Sequence, residues 1–197
     1  MTLRELLEKN RSYRRFDESR PIDRQTLIDL VDSTRFCPSA TNDQPLKYMV
    51  VSEPEDCARL FPTLIWAVHL ADWPGPAEGE RPTGYIIILA DTTIKQNVDV
   101  DPGIVAQSMM LGAVEKGFGG CMFGSIRRER LRREFSIPEH LGIVMVLALG
   151  VPVEKVVLET TPAPVGLAKE TTYWRDADDV HHVPKRPLEE ILIEHPS

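Results

Sequence analysis

The chain has 197 residues, of which 42% are hydrophobic and 27% charged, and a formal net charge of -7. That length buries a sizeable core within one domain, and the composition is that of a globular protein rather than a disordered one. The acidic balance excludes a general nucleic-acid role, because gripping a phosphate backbone takes a basic face, and no apolar run is long enough for a membrane helix. With no signal-peptide pattern in the first residues, a cytoplasmic protein without a membrane partner is expected. Cys37, Cys57 and Cys121 are odd in number and widely spaced, so they imply neither a disulfide framework nor a thiolate metal site. They are expected to pack as small hydrophobes.

In chain order, Thr2 to Lys9 reads as a helix capped by Thr2, with Leu3, Leu6 and Leu7 on one face. Its end carries three arginines within five residues, in Arg11-Ser12-Tyr13-Arg14-Arg15-Phe16. A second helix starts at an Asp23 cap, where Ile22 and Leu27 hold the positions of a hydrophobic staple, and runs to about Arg35 before Pro38 stops it. A polar loop to Pro45 feeds a strand over Leu46 to Ser52. From Glu55 to Leu70 the pattern is helical but broken at Pro62, and Asp72 to Gly84 reads as a loop excursion.

Tyr85 to Ala90 is a β-branched and apolar run fit for a central strand. Asp101-Pro102 then reads as the N-cap and first turn of the most buried helix, continuing to Lys116 with Ile104, Val105, Met109, Leu111 and Gly112 facing inward. Gly117, Gly119 and Gly120 turn the chain into Cys121-Met122-Phe123-Gly124-Ser125. A charged helix over Arg127 to Phe135 and a last core strand over Ile143 to Leu149 follow. The tail from Val153 has few local contacts and a short element at Leu188 to Ile193, so it is expected to pack on something already folded.

Arginine forks suit phosphate oxygens, and Ser12 adds a compact donor, so the first cluster reads as an anion site as well as a set of cations at a helix C-terminus. Four segments taken in order resemble the FMN-dependent nitroreductase family. They are Asn10-Arg11-Ser12-Tyr13-Arg14-Arg15-Phe16, Pro38-Ser39-Ala40-Thr41-Asn42-Asp43-Gln44-Pro45, Gly117-Phe118-Gly119-Gly120-Cys121 and Lys185-Arg186-Pro187-Leu188-Glu189-Glu190. Each motif is weak alone, and their joint order is what carries the resemblance. Asn10 stands where the family usually has its first arginine, which implies either weaker phosphate binding or a shift of that role to Arg15.

The resemblance implies an α+β fold with a mixed sheet flanked by helices, in a domain-swapped homodimer. Residues 1–152 would form the FMN-binding core and residues 153–197 a C-terminal arm of the same domain reaching the partner subunit. It implies that Arg11, Ser12, Lys185 and Arg186 hold the flavin phosphate, with Arg15 as a further candidate, and that Arg14 faces the N1 and C2-carbonyl edge of the ring. Asn42 and Gln44 would read polar edges of the flavin, and the loop Pro38, Ser39, Ala40 to Asn42 would come from the opposite subunit. Phe123, Gly124 and Ser125 would present a backbone N–H to N5. The activity implied is oxidoreduction by a ping-pong scheme, from NADH or NADPH through FMN to a nitroaromatic, quinone or other small electrophile. No side chain need serve as an acid or base, since the cofactor carries the chemistry.

Reductive dehalogenation and flavin breakdown remain open on the same scaffold, as do a non-catalytic flavin-binding or sensing module and a dimer that holds only a generic anion. Trp66, Trp73 and Arg81 fit a flavin cover or, equally, core and interface anchors. His181-His182 lacks metal-ligand spacing and reads as structural, with the two rings on opposite faces of a strand. Cys121 reads as a buried hydrophobe rather than a redox thiol.

Overall fold

The computed structural model describes residues 1–67, 73–161 and 171–193. The chain divides into two compact units, Met1–Trp66 with Gly75–Val153, and Ala67–Pro74 with Glu154–Ser197. In the first, Thr2 caps α1 (Leu3–Lys9) through a reciprocal box, its hydroxyl accepting from Glu5 N–H at 3.3 Å while the Glu5 carboxylate accepts from Thr2 N–H at 2.7 Å. Asp23 caps α2 (Arg24–Ser33) by accepting from the Thr26 N–H at 2.9 Å. A single 3-10 turn over Thr34–Phe36 carries the chain to Pro38.

The sheet of this unit contains β1 (Leu46–Val51), β2 (Gly84–Asp91), β3 (Gly119–Phe123) and β4 (Leu141–Gly150), in the order β1-β2-β4-β3. Every neighbouring pair in it is antiparallel. Between β1 and β2 come α3 (Pro54–Leu60) and a 3-10 turn over Phe61–Thr63, which places the break at Pro62 where the sequence implies it. The helical pattern does not continue beyond it: residues 64–67 are not helical, and Leu64 forms an isolated antiparallel bridge with Ile126, while residues 68–72, with the end of the pattern at Leu70 and the start of the excursion at Asp72, lie outside the described residues. The long helix α4 (Asp101–Glu115) precedes β3, and α5 (Arg128–Phe135) precedes β4.

Strand side chains alternate between faces, so Ile86 and Ile88 of β2 and Leu147 and Leu149 of β4 share one face. They pack with Ile22, Leu27 and Leu30 around α2 and with Val105, Ala106, Met109, Met110 and Ala113 of α4. Each such large side chain stabilises by about 1.5–3 kcal/mol when fully buried. Of the inward set expected on α4, Val105 and Met109 are buried, whereas Ile104, Leu111 and Gly112 are half-buried. Asp101 is not the cap of this helix. Val100 occupies that position, and Asp101 is buried with its carboxylate turned to a different task.

The second unit corrects the expectation of a tail with few local contacts. It forms a three-stranded sheet in the order β5-β7-β6, from β5 (Val156–Thr160), β6 (Trp174–Arg175) and β7 (His181–Lys185), followed by α6 (Leu188–Ile191). Here β5 and β7 run parallel while β6 and β7 run antiparallel. The alternation on β7 separates the two histidines as the sequence implies. His181 is buried, with Tyr173 edge-on at 5.2 Å, and His182 stacks on Trp174 at 4.1 Å.

His182 also lies between two carboxylates, Nδ1 at 2.6 Å from Glu159 and Nε2 at 3.0 Å from Asp176. The hydrogen bond to Asp176, then that to Glu159, raises the imidazole pKa above 6.5, and the same bond to His182 lowers that of Asp176 below 3.8. A raised histidine contributes stability that is complete below its unfolded pKa and lost as pH climbs through the folded value. A lowered carboxylate contributes stability present above its unfolded pKa and lost as pH falls through the folded one. The pair is therefore complete between about pH 4 and pH 6.5. An NMR titration of the His182 ring is expected to show a midpoint above 6.5 that drops in Asp176→Asn. A midpoint at or below 6.5 in the unaltered protein would contradict this arrangement.

Candidate functional site

The arginine-rich segment is shaped by its neighbours on both sides. At the end of α1, Asn10 donates its N–H to Leu6 O at 2.8 Å, and its side chain meets Gln107 of α4 at 3.4 Å. Ser12 then pairs with Gly120 in a parallel bridge, and Tyr13 N–H donates to Gly120 O at 2.9 Å, so this segment lies beside the start of β3. The close approach requires glycine. A Cβ at Gly119 would stand 2.6 Å from the Tyr13 ring, and one at Gly120 would stand 2.3 Å from Ala148 O.

Arg11 is half-buried and gives one guanidinium N–H to Leu7 O. Its Nε is buried and has no partner among the described residues. Burial holds the guanidinium pKa below the ordinary arginine value. A partly dehydrated cation with an unused donor is a place where an anion gains both charge and a hydrogen bond. Exposed Ser12 stands next to it, and buried Arg14 directs Nη1 toward Ser12 O at 3.4 Å.

Arg15 is drawn elsewhere. Its guanidinium forms a two-pronged ion pair with Glu80, at 2.7 and 2.6 Å, and its carbonyl accepts from Val153 N–H. The structure thus brings Arg11, Ser12 and Arg14 together and gives Arg15 a scaffold partner, Glu80, that no local pattern could reveal.

Three residues beyond Gly120 along β3, about 10 Å further on, the strand ends at Phe123. The Trp66 ring packs edge-on against Phe123 at 4.6 Å and lies tilted against Phe61 at 5.4 Å, which makes Trp66 part of the wall at this point. Gly124 and Ser125 are exposed, and a Cβ on Gly124 would meet nothing within 4 Å. The strand end therefore faces open space within the chain. Cys121 is buried, as expected of a small hydrophobe.

The second candidate loop is held at the start of α4. Buried Asp101 accepts from the Ser39 hydroxyl at 2.5 Å and from Ala40 N–H at 3.0 Å, and Ser39 Oγ in turn accepts from Gln44 N–H at 3.1 Å. Thr41, Asn42 and Gln44 all have positive φ, at 55°, 57° and 50°. For residues with a Cβ this is strained backbone, costing about 1–3 kcal/mol each, and such strain concentrates at binding sites. Lys95 helps to maintain it, donating to Asp43 at 2.8 Å, which raises the lysine pKa and lowers that of the aspartate. The exposed Asn42 and Gln44 side chains bond to each other at 3.2 Å.

Beneath this loop lies a cavity of about 160 Å³, lined by Pro38, Ser39, Gln44, Asp101, Tyr48 and Cys37 among others. Asp101 and Tyr48 were not legible as site residues, because a buried tether and a strand tyrosine have no local signature. Lys185 and Arg186 belong to the second unit, where Lys185 ends β7 and Arg186 lies 3.8 Å from Glu190. Among the described residues no group of histidine, cysteine and carboxylate side chains is arranged to hold a metal. No described helix is long and apolar enough to cross a membrane.

Comparison with known proteins gives one consistent result. The model of the nitroreductase family matches residues 7–151. YodC of Bacillus subtilis, a candidate NAD(P)H nitroreductase, is 23% identical over 177 residues, covering 74% of this chain and 87% of that protein. A nitroreductase family protein of Clostridium difficile 630 superposes with TM-score 0.63 at 25% identity, over 78% of this chain and 86% of the other. An FMN-dependent nitroreductase from Clostridium difficile R20291 superposes with TM-score 0.61 at 20% identity, over 76% and 87% respectively, a likeness of fold.

Replacing Asp101 by alanine leaves the Ser39 hydroxyl and the Ala40 N–H without an acceptor. Asp101→Ala is expected to cost about 1–3 kcal/mol in urea unfolding and to speed amide exchange across residues 39–44. Unchanged stability together with unchanged exchange would remove Asp101 from its role as the tether of the loop.

Proposed function

The chain belongs to the nitroreductase family, and from that premise we propose that it is an FMN-dependent oxidoreductase passing electrons from NADH or NADPH to a small electrophile such as a nitroaromatic or quinone. The observation that carries the proposal is the buried, unpartnered Nε of Arg11 beside exposed Ser12, at one end of a strand whose other end opens at Gly124. A flavin mononucleotide has the matching polarity, a phosphate dianion at one end and a flat ring at the other. The names of YodC and of the Clostridium difficile R20291 protein support the electron donor and the cofactor respectively.

Bound flavin would supply the hydride and electron transfer itself, in a ping-pong scheme. The residues provide binding and field. Arg11 and Ser12 would hold the phosphate, each charge-assisted hydrogen bond contributing roughly 1.5–3 kcal/mol. Arg14, already shielded from water, keeps a positive charge where it is weakly screened, and so favours negative charge developing on the pyrimidine edge of the ring. Lys185 and Arg186 are assigned to the phosphate as well. Phe123, Gly124 and Ser125 are assigned to the N5 edge, where the absence of a side chain at Gly124 permits close approach.

A homodimer completes the proposal, with the Pro38, Ser39, Ala40 and Asn42 loop and the neighbouring Gln44 serving the partner's flavin and the C-terminal arm reaching across. Large apolar side chains left uncovered on α1 and around α6 support it: Leu3 and Leu7 on the first, and Leu188, Ile191, Leu192 and Ile193 on the second. The setting is assigned as cytoplasmic.

Purified protein is expected to be yellow, to sediment as a dimer, and to lose its flavin absorbance when NADH or NADPH is added without oxygen. A yellow protein that neither nucleotide bleaches would instead be a flavin-binding module. A colourless one that ignores added FMN would hold only a generic anion. Arg11→Ala is expected to weaken FMN retention tenfold or more, about 1.4 kcal/mol, while Arg15→Ala leaves retention nearly unchanged and lowers stability. Equal losses of FMN in the two variants would overturn these separate roles.

A further inference from the structure

On the α3 side of the first unit lies a cavity of about 120 Å³ whose lining includes none of Arg11, Ser12 and Arg14. Three residues of its lining each carry a buried polar atom with no partner among the described residues: the Tyr85 hydroxyl, Arg81 Nε and Ser52 Oγ. Tyr85 is wholly inaccessible to water, and a buried hydroxyl left unbonded costs about 1–3 kcal/mol. Three such groups around one small space are a pattern that a bound molecule would satisfy.

The chemistry of the lining selects the class of molecule. Arg81 Nε only donates, and the two hydroxyls either donate or accept, so an acceptor-rich head group satisfies all three together. The Arg81 guanidinium lies over the Phe61 ring at 4.7 Å, which fixes its plane. Pro21, Pro54, Pro82 and Phe61 form an apolar wall suited to a short hydrocarbon body. Glu18 also lines the cavity, and its Oε2 already accepts from the Gly79 and Arg81 N–H groups at 2.6 and 3.3 Å. Burial pushes the Cys57 thiol up to about 12 and the Tyr85 phenol well above 10, so both keep their protons and neither adds negative charge.

We propose that this cavity binds the carboxylate of a short organic acid, with Arg81, Tyr85 and Ser52 as its donors. Sodium acetate is the probe, and acetamide, of the same shape without the charge, is its control. Titration of the intact protein at constant ionic strength, followed by amide NMR, is expected to give saturable shifts at Ser52, Thr83 and Tyr85 with acetate and none with acetamide. Tyr85→Phe removes only the hydroxyl and is expected to weaken acetate tenfold or more. Ser52→Ala, at a half-buried position, tests the same contact should Tyr85→Phe fail to fold. Equal binding of acetamide, acetate affinity unchanged in the folded variants, or a crystal grown in acetate whose cavity holds only water would each overturn the proposal.

Discussion

The pairing of β2 with β4 as the two inner strands is the contact on which the rest of the first unit depends. Their shared apolar face supplies the surface that α2 and α4 cover, and burial of that face is the main force fixing where α4 lies. From that follow the positions of both candidate segments. The start of α4 presents Asp101 to the Ser39 loop, and the far edge of β4 pairs with β3, whose first residues receive Ser12 and Tyr13. Tight packing at Gly120 against Ala148 transmits the position of β4 to the arginine segment without slack.

What the sequence made legible is what local physical chemistry controls. Thr2 and Asp23 are caps because their side chains reach amides three residues on, and the run from Tyr85 to Ala90 reads as a central strand because every residue of it is apolar. Asp101 broke the same rule. Its carboxylate accepts from the Ser39 hydroxyl and the Ala40 N–H, about sixty residues away in sequence, so a long-range contact took the place of a local one. The tail was illegible for a related reason, since a parallel partnership between Val156–Thr160 and His181–Lys185 joins short segments with no hairpin signal between them.

The site shows the same division. The Arg11-Ser12 cluster and the polar loop after Pro38 stand out as chemistry in the sequence, yet the separation of Arg15 from Arg11 depends on Glu80, sixty-five residues distant. Likewise, nothing in the neighbourhood of Tyr85 distinguishes it from other strand aromatics. Its isolation becomes visible only when Arg81 and Ser52 are seen on the same cavity wall.

Of the three thiols, Cys57 and Cys121 are buried, and Cys57 is held protonated besides. Cys37 alone is partly accessible, on the lining of the cavity under the strained loop. The unaltered chain thus carries one natural attachment point for a maleimide dye or a spin label, placed where it reports directly on loop motion. Fluorescence or magnetic resonance could follow that loop through a catalytic cycle without a single engineered residue.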